Sequence, residues 1–380
     1  MPRTNASTRP HAPTQRLASL VAGAVALVLT IALIVAVVAA LAGAAHAKHV
    51  PEVQRILGGL TIEPPRAHKH MRVYPIRWSG KQAPGEWETL DAALAAGHLK
   101  VGEMPQATVP NVEVTNTGDR TVFLMSGEII KGGKQTRVIR KDTVVEPQQK
   151  VAVAVFCVER GRWAGGKEFK GARNIAPASI QDAINRGAEQ GEVWHRVRQA
   201  APAFGGASPS ESLDQMLESE KARRSFDEAH KDLGKFSPPD TVGIAVADAR
   251  TGKVVGLELF GRRDLFDGLQ QKLVEGYAAD IVLTASAAPA ALKDVPTAEV
   301  LAFVRRALEG TSGYEDTPGS GRGLDLKSGS VCGKGVAVGG DAIHLSVQDI
   351  HPTAVPARPI VDQPQQEAPR PVRPMIERLR

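Results

Sequence analysis

The spacing of apolar and polar positions changes character several times along the chain. Residues 20–41 form an apolar run whose only polar member is Thr30. Its 22 residues make a helix about 33 Å long at ~1.5 Å per residue, enough to cross the hydrocarbon core of a membrane. A cleavable signal peptide has a shorter apolar region of about 7–15 residues, so length predicts an uncleaved anchor. The alternative is cleavage after Ala47, because Ala45-His46-Ala47 has the small-x-small form of a signal-peptidase site. Residues 48–70 are polar and contain proline, and read as a linker. From Met71 the pattern becomes β-like, with strands expected at 72–76, 112–115, 121–125, 134–139 and 150–158 between Gly, Pro, Asn and Asp signals. A short helix at 90–96, with Thr89 as its cap, interrupts them. The run 151–158, VAVAVFCV, is apolar on both faces and predicts a central, doubly buried strand.

The middle of the chain is helical. Residues 180–200 read as one helix despite Gly187 and Gly191. Ser208-Pro209-Ser210-Glu211 has the form of a capping box and starts a charged helix to about Leu233, with Leu213, Met216, Leu217 and Phe226 as its inner stripe. After Pro238-Pro239, two apolar runs at 242–247 and 254–260 flank a turn and predict a hairpin. Helices follow at 265–281 and 298–308, then a turn-rich loop at 310–323 and strands at 335–338 and 342–347. Seven prolines after His351 predict an extended, disordered tail over 351–380. The expected organisation is therefore a cytoplasmic leader at 1–19, an anchor or signal segment at 20–47, a linker at 48–70, and one α+β domain at 71–350. That domain has a β-rich first part, a helical middle, and a hairpin plus helices at its C-terminal end.

Charge fixes the orientation and removes one class of partner. Arg3, Arg9 and Arg16 precede the apolar run, whereas Lys48 and Arg55 are the first basic residues after it. The positive-inside bias places the N-terminus in the cytoplasm and the large domain outside, in the cell envelope. Of the net +6, the leader carries +3 and the tail +2, leaving residues 48–350 at +1. Tight non-specific nucleic-acid binding needs clustered phosphate contacts, which a nearly neutral domain does not offer. Aromatic residues are only 4% of the chain, so core volume must come from Val, Leu, Ile and Ala.

Candidate chemistry gathers between residues 126 and 163. The glycines of 127–136 do not form a phosphate loop: Gly127 lies five residues before Gly132, Gly133 stands where the lysine belongs, and Gln135 follows Lys134. A hairpin or bulge at Gly132-Gly133 is the better reading. On a strand, Gln135 and Arg137 project from one face and form a grip for a carboxylate or phosphate. The competing role for Arg137 is an ion pair with a structural acid such as Glu128 or Glu159. Cys157 and Glu159 are the candidate reacting groups. A carboxylate does not activate a thiol, so a nucleophilic Cys157 needs a partner such as His195 or His344. A buried thiol, or a disulfide to Cys332, are the alternatives. Trp163 either stacks on a ligand ring or plugs the core edge. His68 and His70 share one side of an extended segment without a third ligand at suitable spacing, so no metal site is assigned, and no cofactor is expected.

The stretch 126–163, SGEIIKGGKQTRVIRKDTVVEPQQKVAVAVFCVERGRW, resembles the signature of a bacterial domain family named for association with ADP-ribosylglycohydrolases and rhodanese-phosphatases. Gly127-Glu128, Gly132-Gly133-Lys134-Gln135, Arg137-Val138, Cys157-Val158-Glu159 and Gly161-Arg162-Trp163 carry the likeness. Val193-Trp194, the segment from Gly256 to Phe260, Leu265-Phe266, and His344-Leu345 extend it over roughly residues 60–348. The resemblance implies a single α+β domain and a loose link to ADP-ribose or NAD metabolism, and it assigns no catalytic residue. The expected function is a membrane-anchored extracytoplasmic domain, held in the bilayer by residues 20–41, that binds a small anionic ligand or an envelope protein. The ligand residues would be Glu128, Gln135, Arg137, Glu159, Arg162 and Trp163. The alternative is a hydrolase or transferase acting on a phosphorylated or ADP-ribose-like substrate.

Overall fold

The computed structural model describes residues 50–349, apart from 106–109, 207, 284–290 and 330. The leader, the apolar run at 20–41 and the tail from 351 lie outside the described residues. Among the described residues, no helix is long and apolar enough to cross a membrane.

The chain folds as α+β around a large antiparallel sheet. Its strand order is Leu60–Ile62, Met71–Trp78, Thr241–Asp248, Lys253–Phe260, Asp341–Gln348, Val331–Val338, Arg322–Ser328 and Thr311–Glu315, with Arg66–His68 also paired to Met71–Trp78. The expected hairpin is present, and Gly252 takes the left-handed position in its turn, at φ +72°. Asp248 braces that turn by accepting from the Arg250 backbone N–H and guanidinium. Side-chain alternation then sorts the central strands between two cores. Ile244 and Val246 face the helix Arg263–Ala278, whereas Ala245 and Ala247 face the helices Pro51–Leu57 and Thr297–Glu309.

A second β body comes from the first half of the chain. Six strands run in the order Phe169–Ile175, Glu128–Gly132, Arg137–Ile139, Lys150–Cys157, Asn111–Asn116 and Leu99–Glu103. Its edges meet again, because Gly102 bridges Glu168 and the Glu103 N–H donates to Lys167 O at 2.7 Å. The sheet therefore curls into a small barrel filled by Leu99, Val101, Val112, Val114, Ile130, Ile139, Val153, Val155 and Phe169. A three-stranded sheet, Thr143–Val145, Thr121–Leu124 and Trp87–Thr89, joins the bodies: Val122 and Leu124 enter the barrel core, and Phe123 and Val144 enter the main core. Lys150–Cys157 is central as expected, but only its C-terminal part is buried on both faces, since Ala152 is exposed.

Several expectations are corrected. Residues 50–70 are folded, not a linker: Val53 and Ile56 of Pro51–Leu57 are buried, and both short strands that follow join the large sheet. The single helix expected over 180–200 is two, Ala178–Asn185 and Gln190–Ala200, because Gly187 turns the chain at φ +83°. Ser208 caps no helix; its Oγ accepts from Ser212 N–H at 2.6 Å, and the helices are Leu213–Leu217 and Glu220–Leu233, the latter capped by Ser219. The strand expected at 134–139 is reduced to Arg137–Ile139, since Gly132 and Gly133 both take positive φ. About a third of the loop expected at 310–323 is the edge strand Thr311–Glu315.

Candidate functional site

Arg137 pairs directly with Cys157 on one neighbouring strand and with Ile130 on the other. Residues opposite one another in a ladder project to the same face, so all three side chains point where Ile130, Ile139 and Val155 fill the barrel. Arg137 thus sits at one end of the barrel interior, and it is 0% exposed. Its Nη1 donates to Gln135 Oε1 at 3.0 Å, and Gln135 Nε2 donates to Glu159 O at 2.8 Å, which fixes the guanidinium plane. Nε and Nη2, the two donors of its side-on edge, are shielded from water and have no oxygen or nitrogen acceptor among the described residues; the Cys157 thiol on the same face is the group that interacts with the guanidinium. The Trp163 ring lies 5.8 Å away and is 38% exposed, forming the outer wall of this mouth. Burial lowers the pKa of Arg137, against the pull of Cys157 and Glu103. An arginine side chain nevertheless stays protonated in a protein.

Glu159 and Arg162 form the frame. Glu159 accepts from Thr136 N–H and Oγ1, both at 2.9 Å, from Ser210 Oγ at 2.8 Å, and from both Nε and Nη2 of Arg162. Burial pushes its carboxyl up, but the Arg162 fork and the Thr136 and Ser210 donors outweigh that and hold it at about 2. Arg162 also donates to the carbonyls of Gly132, Gly133 and Ala164, clamping the glycine turn beneath the mouth. Gly133 is required there: a Cβ would lie 2.2 Å from the Phe169 ring, at φ +50°.

Gln135, Arg137, Cys157, Glu159, Arg162 and Trp163 therefore converge. Glu128 does not join them. It is buried at the other end of its strand, accepting from the Met125 N–H at 2.9 Å and from Lys272 Nζ at 3.0 Å. Cys157 donates its S–H to Glu159 O, and burial pushes its thiol pKa up against the pull of Arg137. Neither histidine considered as its partner makes a hydrogen bond to it among the described residues. His344 is engaged at both ring nitrogens, with Asp142 at 2.7 Å and Glu258 at 3.1 Å. Cys332 is likewise a free thiol, so the two cysteines form no disulfide.

Sequence reasoning passed over Glu103, Lys272, and the two acids Asp142 and Glu258 that hold His344. Two carried a visible signal: Glu258 interrupts the apolar run 254–260, and Lys272 lies on the inner stripe of its helix between Leu269 and Leu273. His68 and His70 turn to separate partners, Asp232 and the Ile281 carbonyl. No group of three His, Cys, Asp or Glu side chains able to hold a metal occurs among the described residues. Two cavities of about 60 Å³ lie away from the barrel mouth, one lined by Arg173, Asn174 and Phe226, the other by His230, Phe236 and Gln270.

The family model of the ARG and Rhodanese-Phosphatase-superfamily-associated Protein domain, ARPP-1, matches residues 59–348. The chain belongs to this family. The match covers both β bodies and the helices between them, so the ARPP-1 domain includes the large sheet and the barrel together. No curated protein and no solved structure matches the chain. ARPP-1 is a bacterial domain of unknown function associated with ADP-ribosylglycohydrolases and rhodanese-phosphatases, and membership assigns no active-site residue.

Proposed function

We propose that the ARPP-1 domain of this chain binds a small oxyanion-bearing ligand at the barrel mouth, outside the membrane in which residues 20–41 anchor it. The unpaired side-on edge of Arg137 carries this reading. Leaving a buried donor without an acceptor costs about 1–3 kcal/mol, and more for a charged group, so two such donors on one guanidinium call for a partner. A carboxylate or phosphate meets that edge with two parallel hydrogen bonds and supplies the missing negative charge. Gln135 holds the fork in place beforehand, which reduces what binding must order. Trp163 offers a flat, half-open aromatic face beside it for the rest of the ligand.

Binding fits the site better than hydrolysis or group transfer. An attacking Cys157 must be a thiolate, whereas here the thiol is buried, its pKa is raised, and among the described residues no histidine hydrogen-bonds to it. The test is a thermal-shift screen of the full chain in detergent against phosphate, simple carboxylates, nucleotides and ADP-ribose, the last suggested by the family's association. At least one oxyanion should raise the melting temperature of the wild type and leave Arg137→Gln unmoved. A wild type that responds to none of them contradicts the proposal.

A further inference from the structure

Glu103 ends the strand Leu99–Glu103 and closes the barrel beside the mouth. By alternation its side chain follows Leu99 and Val101, both in the barrel core, onto the interior face. Oε1 accepts from the Lys134 N–H at 2.6 Å, which ties the carboxylate to the segment that carries Gln135 and Arg137. Oε2 is shielded from water and accepts from nothing among the described residues. Glu103 also draws the pKa of both Arg137 and Arg162 upward, so its charge is felt at each guanidinium. One mouth therefore holds two donors without acceptors and one acceptor without a donor.

Resting on the oxyanion reading above, we infer that the ligand's oxyanion carries a hydroxyl hydrogen: its oxygens meet Nε and Nη2 of Arg137, and its O–H donates to Glu103 Oε2. A bare carboxylate would satisfy the arginine and set a second negative charge against Glu103. An oxyanion with an O–H satisfies all three atoms. Two chemical sources share that feature, an α-hydroxy carboxylate and a singly protonated phosphate monoester. The second titrates near pH 6 and loses the required hydrogen above it. Glu103, which nothing in the sequence marks, thereby becomes the residue that selects among anions.

Calorimetric titration of the full chain in detergent separates the cases, with acetate, glycolate and methyl phosphate as probes. Glycolate should bind at least about tenfold tighter than acetate if its hydroxyl donates to Glu103, since a hydrogen bond to a charged group is worth about 1.5–3 kcal/mol. If the phosphate source is the fitting one, methyl phosphate should instead bind tighter at pH 5.5 than at pH 8 by a similar factor. Glu103→Gln keeps an oxygen for the Lys134 N–H and turns an NH₂ toward the ligand, so it should erase or reverse either preference. Equal binding of acetate and glycolate, with methyl phosphate indifferent to pH, overturns the inference and leaves the Arg137 reading standing. Preferences that survive unchanged in a folded Glu103→Gln also overturn it. Failure of the wild type to bind any probe removes both readings. The wild-type comparisons do not depend on the variant folding.

Discussion

Replacing His344 by Gln should come close to unfolding the domain, and the reason is a buried charge cluster at the junction of the two β bodies. His344 of the large sheet contacts Asp142, which precedes the strand Thr143–Val145, and Glu258 of the neighbouring strand. All three are essentially excluded from water. Glu258 also accepts from Tyr277 Oη at 3.0 Å and Gln348 Nε2 at 2.7 Å, and Asp142 accepts from the Ser126 N–H at 2.8 Å. Burial lowers the pKa of the imidazole, but the two carboxylates outweigh it and hold His344 at about 10, from an ordinary 6.5. That rise corresponds to ~5 kcal/mol at ~1.4 kcal/mol per pH unit. Because the folded pKa is raised, this stability is fully present below pH 6.5 and is lost as pH climbs through about 10. Burial and Glu258 raise the Tyr277 hydroxyl well above its usual range, so it stays protonated over this window. Removing the imidazolium strands two buried carboxylates, a change that costs about 3–5 kcal/mol against a total domain stability of about 5–15 kcal/mol. Urea unfolding of wild type and His344→Gln at pH 6 and pH 10 provides the measurement. The difference between them should be largest at pH 6 and shrink by several kcal/mol at pH 10. A loss below about 1 kcal/mol at pH 6, or a difference independent of pH, would refute the reasoning.

Three further outcomes follow from the frame and the topology. The Glu159 carboxyl, held at about 2, should stabilise the fold by up to ~3 kcal/mol above pH 4.5 and lose that contribution as pH falls toward 2; acid unfolding of wild type beside Glu159→Gln reads the difference, and identical acid midpoints would count against it. Gly133→Ala must shift Phe169 and adopt a left-handed backbone, so its urea midpoint should fall by about 1–3 kcal/mol of stability, and an unchanged midpoint would mean the turn can relax. Alkaline phosphatase fused after residue 49 should be active, and activity of a cytoplasm-only reporter at that junction would overturn the proposed topology.

What the sequence made readable was local. Thr89 capping Leu90–Ala95, the 241–260 hairpin and the helix Arg263–Ala278 each follow from short-range pattern and turn chemistry, and each is present. Residues 50–70 misled because their elements are too short to show a period; the two strands gain order by adding to Met71–Trp78, and the helix Pro51–Leu57 by packing against Thr297–Glu309. Ser208 misled because a capping box looks the same when Glu211 turns left-handed, at φ +51°, and stops the helix before it begins. In the site, the residues that converged lie on adjacent segments joined by the ladder of Arg137–Ile139 with Lys150–Cys157. Glu103 comes from a distant segment, and no spacing along the chain announces it; His344 stands out in the sequence only as a partner for Cys157, whereas it meets Asp142 and Glu258.

The oxyanion proposal is tested most directly by Arg137→Met, through its stability and its ligand response together. If the guanidinium waits unpaired for a ligand, an apolar chain of similar length relieves a buried charge. The ligand-free variant should then be as stable as wild type or more so in urea unfolding, while the stabilisation that oxyanions give the wild type vanishes. A ligand-free Arg137→Met that loses about 3–5 kcal/mol, beside a wild type that no oxyanion stabilises, would make Arg137 a structural ion and contradict the account.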